Sequence, residues 1–178
     1  PVYNASHLLG FFSVFNSDAI KDVALYKSGI PAEYGTRVSS VVDVKMREGN
    51  NKKFNASGGI GLISSRLTLE APIVKDKGSF IISGRRTYAD LFLGLSKQDI
   101  PDKTKLFFYD LNAKANYRIS DKDRLYLSGY FGRDKFNLGK EFGINWGNAT
   151  GTLRWNRIIN QKLFSNTTVV FSSFDYEF

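Results

Sequence analysis

The chain contains no cysteine and one histidine, His7. The first absence excludes a disulfide framework and any thiolate metal site. The single histidine excludes a histidine metal cluster, and no convincing Ser/His/acid set forms around it in the sequence. Carboxylates are present, but Asp18, Asp22, Glu33, Asp43 and Glu48 fall near turns or alternate with Lys and Arg, as solvated or paired charges do. No catalytic residue, metal ligand or cofactor is expected, and the chain does not read as an enzyme. Gly58-Gly59-Ile60-Gly61 lacks the G-x-x-x-x-G-K-[S/T] spacing of a phosphate loop and reads as a strand bend or a close approach of two backbones. No window approaches about eighteen consecutive apolar residues, so no transmembrane helix is expected. Barrel strands, which need only about 9–11 residues each, are untouched by that argument.

Lys and Arg number 25 against 17 Asp and Glu, a net charge of +8. They fall at expected strand ends and turns (Lys52-Lys53, Lys75 and Lys77, Lys103 and Lys105, Lys122 and Arg124) or alternate within strands, so no nucleic-acid patch is expected. Aromatic residues make up 15% of the chain, with 15 Phe, 9 Tyr and 2 Trp, while mean hydropathy is only −0.26. That combination suits an all-β chain with an apolar outer belt, aromatic girdles and a polar interior.

Period-two alternation supports this class. From Phe107 to Ile119, the odd positions Phe107, Tyr109, Leu111, Ala113, Ala115, Tyr117 and Ile119 share one face, and Phe108, Asp110, Asn112, Lys114, Asn116 and Arg118 the other. The run is longer than a typical soluble strand. Leu67, Leu69, Ala71 and Ile73 oppose Arg66, Thr68 and Glu70; Leu125, Leu127, Gly129 and Phe131 oppose Tyr126, Ser128 and Tyr130; Ala149, Gly151, Leu153 and Trp155 oppose Thr150, Thr152, Arg154 and Asn156. Residues 79–93 and 163–176 are strand-forming but alternate poorly, and a first strand is expected near Lys53 to Gly61. Tight charged turns at 74–78, 120–123 and 160–162 contrast with longer connectors expected at 94–105 and around 137–141. Both ends of the chain read as cut, with Pro1 in place of an initiator Met and Phe178 inside an alternation.

The stretch from Ile20 to Gly49 has a different order of pieces. Ile20, Val23 and Leu25 precede the Ser28-Gly29-Ile30-Pro31 turn; Tyr34-Gly35-Thr36 follows, then a strand expected from Val38 to Arg47, and a break at Gly49-Asn50-Asn51. The pattern I-x-x-V-x-L-Y-K-x-G-x-P-A-x-Y-G-x-R-x-S-S-V-x-D-V-K closely resembles the last part of the plug domain of TonB-dependent outer-membrane receptors. With Asn16-Ser17-Asp18-Ala19 ahead of it and Ser64-Ser65-Arg66-Leu67 behind, it is similar to the form common among Bacteroidetes-type receptors. The wider family carries Arg-Gly-Pro where this chain has Lys27-Ser28-Gly29, leaving Lys27 as the stand-in for the usual plug arginine.

The resemblance implies an all-β fold: residues 1–49 as the C-terminal part of a plug, with an apolar cluster at 1–18 in the plug core, and residues 50–178 as about seven antiparallel strands of an incomplete transmembrane barrel. Barrels of this kind close at about 22 strands. It implies residence in the bacterial outer membrane, with the signal peptide outside this stretch. It also implies uptake of a scarce ligand (a metal chelate, glycan or peptide) by energy-coupled movement of the plug. The implied partners are the TonB-ExbB-ExbD complex, reached through a segment ahead of residue 1, outer-membrane lipid, and a surface lipoprotein of the sort that serves the family's glycan and peptide importers. Plug-to-wall contacts are expected among Lys27, Glu33, Arg37, Asp43, Lys45, Glu70, Arg85 and Arg86, and lumen-facing positions at Asp110, Lys114, Arg118 and Arg154. Strand alternation lets only one of Arg85 and Arg86 face inward, and its expected partner is a plug carboxylate. The alternative is a non-transporting outer-membrane barrel or a sandwich-type surface adhesin, in which the Ile20–Gly49 pattern has no evident use.

Overall fold

A computed structural model describes residue 2 and residues 5–35, 40–88, 104–139 and 142–178. The N-terminal segment is irregular. Strand β1 (Ser6–His7) pairs with β2 (Phe12–Ser13) across a 3-10 turn at Leu8–Gly10. Asn16 then starts a second 3-10 turn, Ser17–Ala19, its side-chain oxygen accepting from the Asp18 amide at 3.1 Å. Strands β3 (Ile20–Tyr26) and β4 (Val41–Met46) form an antiparallel hairpin whose register runs from Ile20 opposite Met46 to Tyr26 opposite Val41. The expected strand therefore begins at Val41; Val38 and Ser39 lie outside the described residues.

The rest is a seven-stranded antiparallel sheet: β5 (Asn55–Ile60), β6 (Ser64–Val74), β7 (Gly78–Thr87), β8 (Lys105–Arg118), β9 (Asp123–Leu138), β10 (Phe142–Asn160) and β11 (Leu163–Glu177). Sheet order follows chain order from β5 to β11. The last four strands are 14, 16, 19 and 15 residues long, well beyond the roughly 5–6 usual in globular domains.

Because consecutive strands are neighbours, the connectors alternate between two ends of the sheet. Residues 75–77, 119–122 and 161–162 are tight at one end, as expected. At the other end the connector near 137–141 is not long: Leu138 already pairs with Phe142, leaving only positions 139–141 to turn the chain. Pairing continues because Asn137 opposite Gly143 and Phe136 opposite Ile144 keep both backbones bonded up to the turn. The other long connector, at 94–105, falls almost wholly outside the described residues.

Antiparallel pairing puts directly opposed residues on one face. Ala115, Leu127, Leu153 and Val169 form one cross-strand row, and Ala113, Gly129, Gly151 and Phe171 the next. This face points away from the N-terminal segment and is open: Leu67, Ile82, Tyr109, Leu111, Leu127, Phe131, Leu153, Trp155, Val169 and Phe171 are each 37 to 65% exposed. The N-terminal segment packs on the opposite, polar face. Among the described residues, seven buried side chains are apolar and twelve are polar or charged, the latter including Thr68, Glu70, Ser83, Asp110, Asn112, Asn116 and Asp134. Polarity is thus reversed relative to a water-soluble domain.

The segment leaving β4 runs close over the sheet. A Cβ on Gly49 would overlap the Phe80 carbonyl, and the neighbour is backbone, so a side chain there cannot be accommodated by rotation. Gly49→Ala in the full-length protein is expected to lift residues 47–50 and destabilise by about 1–3 kcal/mol. Faster tryptic cleavage at Arg47, Lys52 or Lys53 is the readout; an unchanged rate would remove the argument.

Candidate functional site

The face between the N-terminal segment and the sheet is held by charge. At its centre His7, 1% exposed, is inserted between two carboxylates of the sheet, Asp110 and Asp134. Its Nδ1 donates to Asp134 Oδ2 at 2.6 Å, and Nε2 lies 3.2 Å from the Tyr130 hydroxyl and 3.6 Å from Asp110 Oδ2. The ring stacks on Phe108, centroids 4.1 Å apart and planes 6° from parallel. The neighbouring Leu8 has a φ of 48°, a left-handed backbone that disfavours a branched side chain. That conformation turns its amide inward to donate to Asp134 Oδ1 at 2.8 Å. Gly132 leaves the room below the imidazole, since a Cβ there would come 3.2 Å from His7 Cε1.

Arg85 completes the cluster. Its Nε and Nη2 donate to Asp110 Oδ2 at 2.8 and 2.7 Å, and Nη2 also donates to the Ser13 carbonyl at 2.6 Å. With the imidazole protonated, two carboxylates, one guanidinium and one imidazolium sum to neutrality, so the charges compensate one another in the buried cluster. Burial by itself would lower the His7 pKa; the hydrogen bonds and charges of Asp110 and Asp134 outweigh it and hold the pKa above its ordinary 6.5.

Further contacts run along the same interface. Asn16 donates to Ser83 Oγ at 2.8 Å, and Ser83 shares a 2.7 Å bond with Thr68. Asp18 faces Arg66 at 3.2 Å, Arg47 faces Glu70 at 3.6 Å, and Glu48 meets Arg124 at 3.0 Å and Lys114 at 4.0 Å. The Lys114 ammonium also donates to the Met46 carbonyl at 3.0 Å.

Of the residues expected in contacts between the two parts, Glu70 faces Arg47 and Arg85 reaches the Ser13 carbonyl; of the positions expected to face inward, Asp110 lies beside His7 and Lys114 beside Glu48. Arg85 is the inward member of its pair, but its carboxylate is Asp110 on the adjacent strand rather than one on the N-terminal segment, which offers it only the Ser13 carbonyl. Arg86 points to the apolar side, as alternation demands, with its guanidinium 5.6 Å over the Phe107 ring. Lys27 is exposed in the bend after β3. Asp43 and Lys45 pair with each other at 3.8 Å and line a gap facing the sheet together with Arg154. Arg118 lies in the inward row but at the turn end, exposed, donating to the Asp76 carbonyl at 3.4 Å. Glu33 sits in a 3-10 turn, Ala32–Tyr34, its side chain outside the description, and Arg37 is outside the described residues altogether.

Sequence reasoning missed His7, Asp134, Tyr130, Asp18, Arg47, Arg66, Glu48 and Arg124 as bridging residues. The signal for Asp134 was available: extending the Tyr126, Ser128, Tyr130 row past Gly132 reaches it. Nothing local to His7 indicates its partners, which are more than a hundred residues away along the chain.

Among the described residues no group of three or more His, Asp or Glu side chains is arranged to hold a metal ion. No family model, curated protein or solved structure matches the chain.

Proposed function

We propose that this chain is the end of the plug and the first seven wall strands of a TonB-dependent outer-membrane transporter, in which residues 1–49 occlude the lumen and residues 50–178 begin the barrel. The observation that carries the reading is the reversed polarity of the sheet: its apolar face is open, while charged residues of the other face are met by residues 7–18 and 46–49. Lipid outside and a polar plug inside account for both halves of that pattern. The long strands, the up-and-down order and the entry of the chain into β5 directly after the packed hairpin fit the same architecture. A two-sheet sandwich instead calls for a second sheet on the apolar face, and here the packing partner lies on the other side.

In this reading, opening requires the plug contacts to break. Exposed pairs such as Arg66 with Asp18 contribute about 0–1 kcal/mol each. Separating the buried His7 cluster leaves uncompensated charge, at about 3–5 kcal/mol for loss of one partner. Tension applied from ahead of residue 1 reaches His7 before Asp18 or Glu48, so the costliest contact is loaded first.

The two tryptophans test the reading. Trp146 is buried on the inward face, 4% exposed, and Trp155 lies on the outward face near a tight turn, its Nε1 donating to Asp123 at 3.1 Å. In the full-length protein reconstituted with brominated lipids, the Trp155 contribution, taken as the difference from a Trp155→Phe variant, is expected to be quenched. The Trp146 contribution, from Trp146→Phe, is expected to be spared. Equal quenching of the two, or fractionation of the protein away from the outer membrane, would falsify the assignment.

A further inference from the structure

A cavity of about 680 Å³ lies between the β3–β4 hairpin and the wall strands β8, β9 and β10, toward the tight-turn end of the sheet. This volume is typical of small-ligand pockets. Cations enter it from both sides: Lys21 and Lys45 from the hairpin, Lys114 and Arg154 from the wall. Two carboxylates also line it, and both are already engaged, Asp43 with Lys45 and Glu48 with Lys114 and Arg124. Lys21 and Arg154 have no carboxylate within 4.0 Å among the described residues, and both lie close enough to Lys114 to repel it. Asn156, a further lining residue, has a buried side-chain oxygen with no hydrogen-bond partner; an amide turned over would offer its NH2 there instead. The aromatic wall is Tyr126, which carries the Lys114 ammonium 5.8 Å above its ring, with Tyr26 and Tyr34 opposite.

Cations held together without enough counter-charge, around a space the size of a small solute, call for an anion with several oxygens. We propose that this cavity binds an oxyanionic small solute, a di- or tricarboxylate or a phosphorylated compound, with Lys21 and Arg154 as its principal charge partners and Lys114 as a third. The inference rests on the transport reading, in which the cavity is a station for solute between the plug hairpin and the wall. Opposed placement matters: Lys21 and Arg154 belong to different parts of the molecule, so a bound anion bridges plug and wall and is released when they separate.

The test is calorimetric titration of the full-length protein in detergent with citrate and, separately, with inorganic phosphate. One of the two is expected to bind the parent, the more strongly bound probe identifying the carboxylate or phosphate source. Replacing both unpaired cations, Lys21→Gln with Arg154→Gln, is expected to weaken that binding by at least about tenfold, as loss of charged hydrogen-bond partners does. A charge-matched control, Lys52→Gln with Lys162→Gln in exposed turns, is expected to leave it unchanged. Absence of binding of either probe, or equal losses in the two double variants, overturns the anion site. Heat-modifiable migration of the same preparations reports whether a barrel has formed. A protein that forms a barrel yet binds neither probe sinks the site alone, whereas a protein that forms no barrel sinks the transport reading and the site with it.

Discussion

Residues 1–178 produced alone will aggregate in detergent-free buffer and will be recovered as a monodisperse species only in detergent. The outward rows, Ala115, Leu127, Leu153 and Val169 beside Ala113, Gly129, Gly151 and Phe171, make a continuous apolar surface across four strands. Soluble monomers rarely leave more than a few hundred Å² of such surface open. The sheet also ends in two unpaired edges, β5 and the 15-residue β11, each a template for strand addition. A monodisperse, cooperatively unfolding monomer without detergent would contradict this. A point substitution sharpens the result because two environments predict different signs. Leu127 is 58% exposed at the middle of the belt. In water, Leu127→Lys changes stability by no more than about 0.5 kcal/mol and improves solubility. Facing lipid, the same change in the full-length protein costs about 2–4 kcal/mol near the bilayer midplane. Folding titrations into lipid vesicles read the difference directly.

Docking of residues 5–19 onto the sheet will weaken as pH rises. The docked His7 has a pKa above its ordinary 6.5, so docking takes up a proton. Its contribution is fully present below about pH 6.5 and is lost as pH rises through the raised value. Protection of the residue 6–19 amides against hydrogen exchange, corrected for the intrinsic rate, is expected to fall across that window in the full-length protein. In His7→Gln that pH dependence is expected to vanish. Asp134→Ala is the larger lesion, since it leaves both His7 Nδ1 and the Leu8 amide without their partner. Loss of one member of a buried charge pair costs about 3–5 kcal/mol. The double variant His7→Ala with Asp134→Ala is expected to cost less than the sum of the singles, because each removes the other's unpaired charge. Strict additivity, or a flat pH profile in the parent, would mean that the cluster does not hold the segment in place.

How far the sequence could be read depended on the range of the interaction behind each feature. In β8, every second residue from Phe108 to Arg118 was assignable to the polar face before any coordinates, because side-chain direction in a strand repeats every two residues. The same rule separated Arg85 from Arg86. It failed only where alternation was interrupted: in β7, where Ile81 sits inward among Ser79, Ser83 and Arg85, and in β11, an edge strand rich in β-formers on both faces. The connector at 139–141 was misjudged as long because Asn137, Gly139 and Glu141 resemble loop residues, whereas backbone pairing from the two flanking strands continues through Asn137.

The sequence by itself therefore determined the all-β class, the presence of the strands from β5 to β11 though not the full reach of β9 to Leu138 or of β10 from Phe142, and which face of most of them is apolar. These follow from local periodicity and turn chemistry. Only the tertiary structure decided that residues 7–18 and 46–49 pack on the charged face. It also showed that Arg85 pairs with Asp110 across neighbouring strands, that His7 closes on Asp134, and that Lys21 and Arg154 share a cavity. Those pairings join residues tens to more than a hundred positions apart. Which charge meets which across such a span is set by strand register and by how the N-terminal segment lies on the sheet, and no period in the chain encodes either.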